Sequence, residues 1–150
     1  MKRWPRLLFC VLAALVFLGV ANQAAAEKLE GTALEEYVIA HSPWSGDWSS
    51  FGVRHRSLGV QGGPVTYVFE RVDGKFSARI KEPEDGAGAT RAVGPASGVS
   101  VLGDTIHLTS AAGTRHEFKL NENGELVGKG TNRAGASETT VLKPTLKEKK

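Results

Sequence analysis

The feature that most constrains this chain is a series of short alternating segments divided by glycine-containing turns. Residues 65–71 alternate apolar and polar side chains, and residues 75–81 do the same after Asp73-Gly74. This alternation is typical of a strand with one buried face, and Asp-Gly is a favoured pair for a two-residue hairpin turn. Residues 65–81 therefore predict an antiparallel hairpin.

Further strands are predicted on both sides of this hairpin. They are the segments 47–51, 53–60, 99–102, 105–110, 114–120, 125–131 and 138–143. Eight or nine short strands joined in sequence order predict an all-β, antiparallel up-and-down meander. Exposed edge strands invite pairing with other chains, and closure removes them. We therefore expect a small barrel of about eight strands, with residues 82–97 as its one long loop.

One short helix is predicted ahead of the strands. Residues 32–40 carry an apolar stripe at helical spacing, formed by Leu34, Tyr37 and Val38. Thr32 and Glu35 have the spacing of a capping box, in which each side chain binds a free backbone N–H of the first turn. Pro43 ends the helix, because proline disfavours helical geometry in the residue before it. We expect the helix to cap one end of the barrel.

The first 26 residues have the organisation of a secretory signal peptide. A basic start is followed by an apolar run over residues 7–20 and by Ala24-Ala25-Ala26, which supplies small residues for cleavage. The run is shorter than the ~20 residues that span a bilayer. We expect cleavage after Ala26 and no stable membrane anchor afterwards; a retained anchor is the alternative. The leader is typical of export to a bacterial periplasm, and secretion to the outside is the other destination.

Removal of the leader changes the chemistry of the chain. The full sequence has 19 Lys+Arg and 16 Asp+Glu, and the leader holds three basic residues (Lys2, Arg3, Arg6) and no acidic one, which leaves 16 of each. A phosphate backbone needs a clustered positive surface, so we expect no nucleic-acid partner. The only cysteine is Cys10. The mature chain is therefore predicted to have no disulfide.

The mature chain has the length of one domain. Removing 26 of 150 residues leaves 124, enough to close a single core. We divide it into an N-terminal segment with the helix (27–44), a barrel domain (45–144) and a charged tail (145–150).

Two tryptophans open the first predicted strand, in Trp44-Ser45-Gly46-Asp47-Trp48. Gly46 allows a tight backbone bend as the chain enters the strand. We expect the indole of Trp48 to fill the barrel floor with its N–H on a backbone carbonyl, and Trp44 to pack between helix and barrel. A short N-terminal helix and then Gly-x-Trp at the start of a meander resembles the lipocalin-like (calycin) barrels. The resemblance implies that Trp48 closes the helix-capped end and that a ligand enters at the other end.

The sequence predicts no catalytic site, metal site or cofactor. It lacks Gly-x-Ser-x-Gly, and no local spacing indicates an activated nucleophile. The four histidines are not at ligand spacing from one another, and they are His41, His55, His107 and His116. An enzyme stays the third possibility, behind two binding functions.

Alternation indicates which side chains face inward. Tyr67, Phe69, Phe76 and His116 are the predicted ligand contacts, and the alternative is that they fill a solid core. His116 is then a hydrogen-bonded core residue. Arg54 and Arg56 bind an anion if their face of the strand is internal; we expect them to face outward as surface charges.

Two functions follow. The preferred one is an exported binding protein that holds a small apolar or amphipathic ligand inside a lipocalin-like barrel. The alternative is a solid barrel without a small-molecule ligand, acting as an inhibitor, accessory or assembly protein through residues 82–97.

Overall fold

The structure is a computed structural model that describes residues 28–54, 57–81 and 93–145, without the side chains of residues 51–61. Within these ranges one helix, α1 (Gly31–Ala40), precedes nine strands. They are β1 (Trp44–Arg54), β2 (Ser57–Val72), β3 (Lys75–Lys81), β4 (Gly94–Pro95), β5 (Ser97–Leu102), β6 (Thr105–Thr109), β7 (Arg115–Leu120), β8 (Leu126–Thr131) and β9 (Ser137–Pro144). The predicted leader lies outside the described residues. No described helix is long and apolar enough to cross a membrane.

The strands form one antiparallel sheet in the order β4-β3-β2-β1-β9-β8-β7-β6-β5. β1 pairs with β2 and also with β9, so the first and last strands join. The remaining seam lies between β4 and β5, which follow each other in the chain. Ala96 N–H donates to Ala78 O (2.9 Å), and Ser97 then pairs with Thr109 on β6, which carries the chain across the seam. The predicted all-β barrel with a short N-terminal helix is confirmed as a nearly closed barrel.

The predicted bounds of the first two strands are wrong. Segments 47–51 and 53–60 were separated at Gly52, whereas β1 runs unbroken from Trp44 to Arg54 and β2 from Ser57 to Val72. Glycine interrupts the side-chain pattern from which strands are predicted, but it keeps the backbone N–H and C=O that make the ladder. Gly52 accordingly pairs with Gly59 in the β1–β2 ladder.

The predicted capping box is also wrong. The helix begins at Gly31, its N-cap is Glu30, and that residue makes no side-chain capping hydrogen bond. Gly31 N–H donates instead to Gly103 O (2.9 Å) in the β5–β6 turn. Glu35, the second partner of the predicted box, binds Arg71 of β2 at 2.9 Å. Tertiary contacts with the barrel therefore replace the local cap.

Three turns near the C-terminus share one geometry at a spacing of eleven residues. In each, a glycine with positive φ precedes the closing residue, and these glycines are Gly113, Gly124 and Gly135. The opening residue binds the closing residue through its backbone N–H, in the pairs Ser110–Thr114, Asn121–Glu125 and Asn132–Ala136. These turns connect the strands predicted at 105–110, 114–120, 125–131 and 138–143. The turn chemistry sets the register of β6–β9.

The barrel has two distinct ends. We call the end that carries α1 and the turns at 73–74, 103–104 and 121–125 the capped end, and the end with the turns at 110–114 and 132–136 the distal end. Between them lies one core, whose buried apolar side chains are Leu34, Val38, Trp44, Val65, Tyr67, Phe69, Phe76, Ala78, Ile80, Ile106, Leu108, Phe118, Leu126 and Leu142.

Candidate functional site

Trp44 fixes the helix to the barrel floor. Its side chain is fully buried, and its indole N–H donates to Val38 O at 2.8 Å. Ser42 Oγ–H donates to the same carbonyl (3.2 Å) and accepts from Phe69 N–H (2.8 Å), which ties the end of α1 to β2. The hydrogen bond from an indole to a backbone carbonyl, expected for Trp48, is therefore made by Trp44.

Trp48 lies farther along β1 and is only partly buried against the core. It pairs with Gly63 on β2 and Thr140 on β9, on the distal side of Trp44. Gly46, between the two tryptophans, has no room for a side chain, because a Cβ there would collide with Val141 O. The glycine of the Gly-x-Trp motif is thus required by the close approach of β9.

The predicted ligand contacts form a continuous aromatic stack across the barrel. Phe76 stacks on Phe69 with ring centroids 5.8 Å apart, and Phe69 lies 6.2 Å from Tyr67. Tyr67 meets Phe118 edge-on at 5.2 Å and His116 at 6.3 Å. All five rings are buried. Phe69 and Phe76 lie toward the capped end as packed core, whereas Tyr67 and His116 form the boundary with the distal half.

Two glycines on the inner face of β8 make room for rings from β7. A Cβ at Gly128 would collide with the ring of Phe118, and one at Gly130 would lie 2.8 Å from His116 Nδ1. The rings of Phe118 and His116 therefore lie against the β8 backbone, stacked on each other at 5.5 Å. This packing fixes the position of the His116 imidazole.

A polar cluster follows on the distal side of the aromatic stack, formed by Thr114, His116, Glu138 and Thr140. Gly130 pairs with His116 on β7 and with Glu138 on β9. Because glycine has no side chain, the side chains of His116 and Glu138 face each other across it. His116 Nε2 lies 4.0 Å from Glu138 Oε2, and Thr114 Oγ1 is 3.4 Å from Glu138 Oε1. Thr140 lies one pleat deeper on β9, opposite Gly128. We call these four residues the distal polar cluster.

Two buried polar atoms of this cluster have no hydrogen-bond partner among the described residues. They are His116 Nδ1 and Thr140 Oγ1. Buried polar groups in proteins are nearly always paired, so each exception requires an explanation. His116 is a buried core residue, as expected, but its Nδ1 atom does not make the hydrogen bond expected of it within the part of the chain described.

Burial controls the protonation of the cluster. It lowers the pKa of His116 to about 4, because the imidazolium would lose its hydration. Burial also raises the pKa of Glu138, against a smaller opposing effect of the Thr114 hydrogen bond. The pKa of Tyr67 is raised, first by burial and then by the charge of Glu138. At neutral pH His116 is the uncharged neighbour of a partly buried carboxyl group.

Sequence reasoning missed Glu138 and Thr140. Both share the inner face of β9 with Leu142, and alternation from Leu142 would have found them. The signal was ambiguous because Val141, on the outer face, is equally apolar and 37% exposed. The sequence alone therefore does not show which face of this strand is buried.

Two depressions are lined by described residues. One, of about 700 Å³, lies at the capped end between the segment before α1, Tyr37 and the 121–125 turn. Its carboxylate, Asp104, already pairs with Lys28 and Lys119, and the hydrogen bond from Lys28 contributes most to holding its pKa well below the usual range. The other, of about 390 Å³, crosses β6–β8 beside His107, Arg115 and Lys129, and His116 is among its lining residues.

Several predicted features fall outside the description. They are residues 55 and 56, the side chain of Arg54, and residues 82–92 of the long loop. Within the described ranges, no group of three or more His, Asp, Glu or Cys side chains could hold a metal ion.

Comparisons with protein-family models, with curated proteins and with solved structures find no match to this chain. Its function must therefore be argued from the geometry of the barrel.

Proposed function

We propose that this protein is an exported, lipocalin-like binding protein that holds a small amphipathic ligand in the distal half of its barrel. The observation that carries the proposal is a pair of buried atoms beside Glu138, His116 Nδ1 and Thr140 Oγ1, that have no partner among the described residues. A ligand with a polar head would supply the missing hydrogen bonds. Such pairing is worth about 1–3 kcal/mol for each buried group that is otherwise unsatisfied.

The apolar part of the ligand would contact side chains around the cluster. Trp48 lies on the inner face of β1 and Val65 on the inner face of β2, and Tyr67 follows on β2 toward the capped end. Ligand sites in proteins combine a mostly apolar lining with a few fixed polar groups that orient the ligand. Tyr67 and His116 remain proposed ligand contacts, whereas Phe69 and Phe76 support them from the capped end.

The proposal is tested by native mass spectrometry of protein purified without denaturation from cells that export it. The expected result is the mass of the chain plus a small molecule. Calorimetric titration with octanol, octanoic acid, octylamine and a sterol should then identify at least one class that binds.

Matched histidine variants locate the binding. His116→Phe fills the inner position with an apolar ring, and we expect it to weaken binding by roughly tenfold, the effect of losing about 1.4 kcal/mol. His107→Phe makes the same change on the outer face of β6, where the histidine is beside Glu117, and should leave binding unchanged. The proposal would be refuted if native mass spectrometry gives the mass of the chain alone and none of the four compounds binds in calorimetry.

A second candidate is a solid barrel that acts on a protein partner. The observation in its favour is the filled core, in which Trp44, Tyr67, Phe69 and Phe118 are each at most 2% exposed. Here the side chains predicted to contact ligand serve only to stabilise the fold, and the partner contacts residues 82–97. Recovery of the protein in a stoichiometric protein complex, with no small molecule in its native mass, would favour this candidate.

A further inference from the structure

We infer that the distal polar cluster selects ligands carrying a protonated primary amine, whose positive charge Glu138 balances. The inference rests on the proposed function and specifies the chemistry of the same site. It follows from which atoms of the cluster accept hydrogen bonds, and from the charge that the cluster lacks.

The first argument is the supply of acceptors. A neutral imidazole has one N–H and one lone pair. Nε2 is the nitrogen that faces Glu138 Oε2, at 4.0 Å. Nδ1 is the ring nitrogen without a partner among the described residues. Burial keeps the imidazole neutral by lowering its pKa to about 4, so at pH 7 one of its two nitrogens accepts hydrogen bonds.

Thr140 and Glu138 add acceptors of the same kind. Thr140 is 1% exposed, and its Oγ1 is unpartnered within the described part of the chain. The Glu138 side chain is 14% exposed, and in its ionised form it only accepts hydrogen bonds. An ammonium group has three N–H donors and no acceptor, so it suits a cluster that supplies acceptors.

The second argument is charge. The lysine and arginine side chains of β6–β9 are all exposed on the outer face, and they are Arg115, Lys119, Lys129 and Lys143. His116 is neutral, so the described inner face offers Glu138 no cation. A buried carboxylate without a countercharge is costly. A ligand ammonium group would supply that charge, whereas a ligand carboxylate would add a second negative charge.

Ligands of one chain length test this selectivity. Octylamine, 1-octanol and octanoic acid are titrated by calorimetry into the mature protein at pH 7. We expect octylamine to bind at least roughly tenfold more tightly than octanol, corresponding to about 1.4 kcal/mol, and octanoic acid to bind weakest. In Glu138→Gln, which keeps the side-chain shape, the preference for octylamine should disappear while octanol binding changes less than about threefold.

Glu117→Gln is the matched control. Glu117 is on the outer face of β7 and 66% exposed, so its substitution should leave the amine preference intact. Circular dichroism and urea midpoints verify that both variants fold. Equal binding of octylamine and octanol, or a preference for octanoic acid, would overturn the inference and leave the proposed function standing. If neither the three ligands nor the sterol binds, and native mass spectrometry finds no bound small molecule, both the inference and the proposed function are overturned.

Discussion

At the scale of single residues, two tryptophans four positions apart have different surroundings. Trp44 is fully buried with its N–H on Val38 O, and Trp48 is only partly buried beside Gly63. A buried indole contributes through its packed volume and through its hydrogen bond. Trp44 should therefore account for more of the free energy of unfolding than Trp48.

Phenylalanine substitutions separate the two roles. Trp44→Phe removes the hydrogen bond and leaves a cavity, and we expect it to lower the free energy of unfolding by about 2–4 kcal/mol. Trp48→Phe should cost about 1 kcal/mol or less. Urea denaturation followed by far-ultraviolet circular dichroism measures both. If Trp48→Phe lowers the free energy of unfolding more than Trp44→Phe does, Trp48 rather than Trp44 closes the floor of the barrel.

At the scale of elements, side chains of the turn residues hold the strand connections. Asn132 Oδ1 accepts from Ala134 N–H (3.0 Å) and Ala136 N–H (2.9 Å), and Asn121 does the same for its own turn. These bonds orient the turn backbone as strands β8 and β9 meet. Asparagine is common in turns for this reason.

Asn132→Ala should destabilise the protein by about 1–2 kcal/mol, since two backbone N–H groups lose their acceptor. Asn123→Ala is the control, because Asn123 is an exposed turn residue that uses its backbone N–H rather than its side chain to bind Asn121. It should change stability by less than about 0.5 kcal/mol. Thermal unfolding compares the two, and equal losses would contradict the assigned role of Asn132.

How far the sequence predicts these elements depends on local chemistry. Asp73 and Gly74 have positive φ values of 50° and 75°, as their hairpin turn requires. The sequence predicts the strand ends beside this turn to within one residue, but not the start of β2 at Ser57. The start of β1 and the capping of α1 are not predicted either, because both depend on partners distant in the chain, Pro144 and Gly103. Glu138 was missed because Val141 and Leu142 are equally apolar, so the sequence does not show which face of β9 is internal. The strand register then places Glu138 across Gly130 from His116.

At the scale of the whole molecule, one buried histidine links stability to pH. The pKa of His116 falls from 6.5 in the unfolded chain to about 4 in the folded protein. Between these values the unfolded state binds more protons, so His116 stabilises the fold fully above pH 6.5 and progressively less as the pH falls toward 4. Glu138 acts in the opposite direction, because its raised pKa costs stability as the pH rises above 4.5.

The difference in unfolding free energy between the wild type and His116→Gln isolates the histidine. We expect this difference to fall by up to about 3 kcal/mol from pH 7 to pH 4, the linkage value of a shift of roughly 2.5 pKa units. His107→Gln makes the same substitution on the outer face of β6 and is the matched control. Urea midpoints at four pH values measure both, and a flat profile for His116→Gln would show that the imidazole is not held neutral.

The pairing of β1 with β9 has a consequence for how the chain reaches its native state. The hydrogen bond between Ser45 and Thr145 spans 100 residues. Bringing the two ends of so long a loop together costs conformational entropy before any contact between β1 and β9 has formed. Hairpins such as β2–β3 can assemble early, but the cylinder is complete only when the last strand arrives. Association of the two ends of the sheet should therefore limit the folding rate, on the millisecond-to-second scale of β-proteins rich in distant contacts.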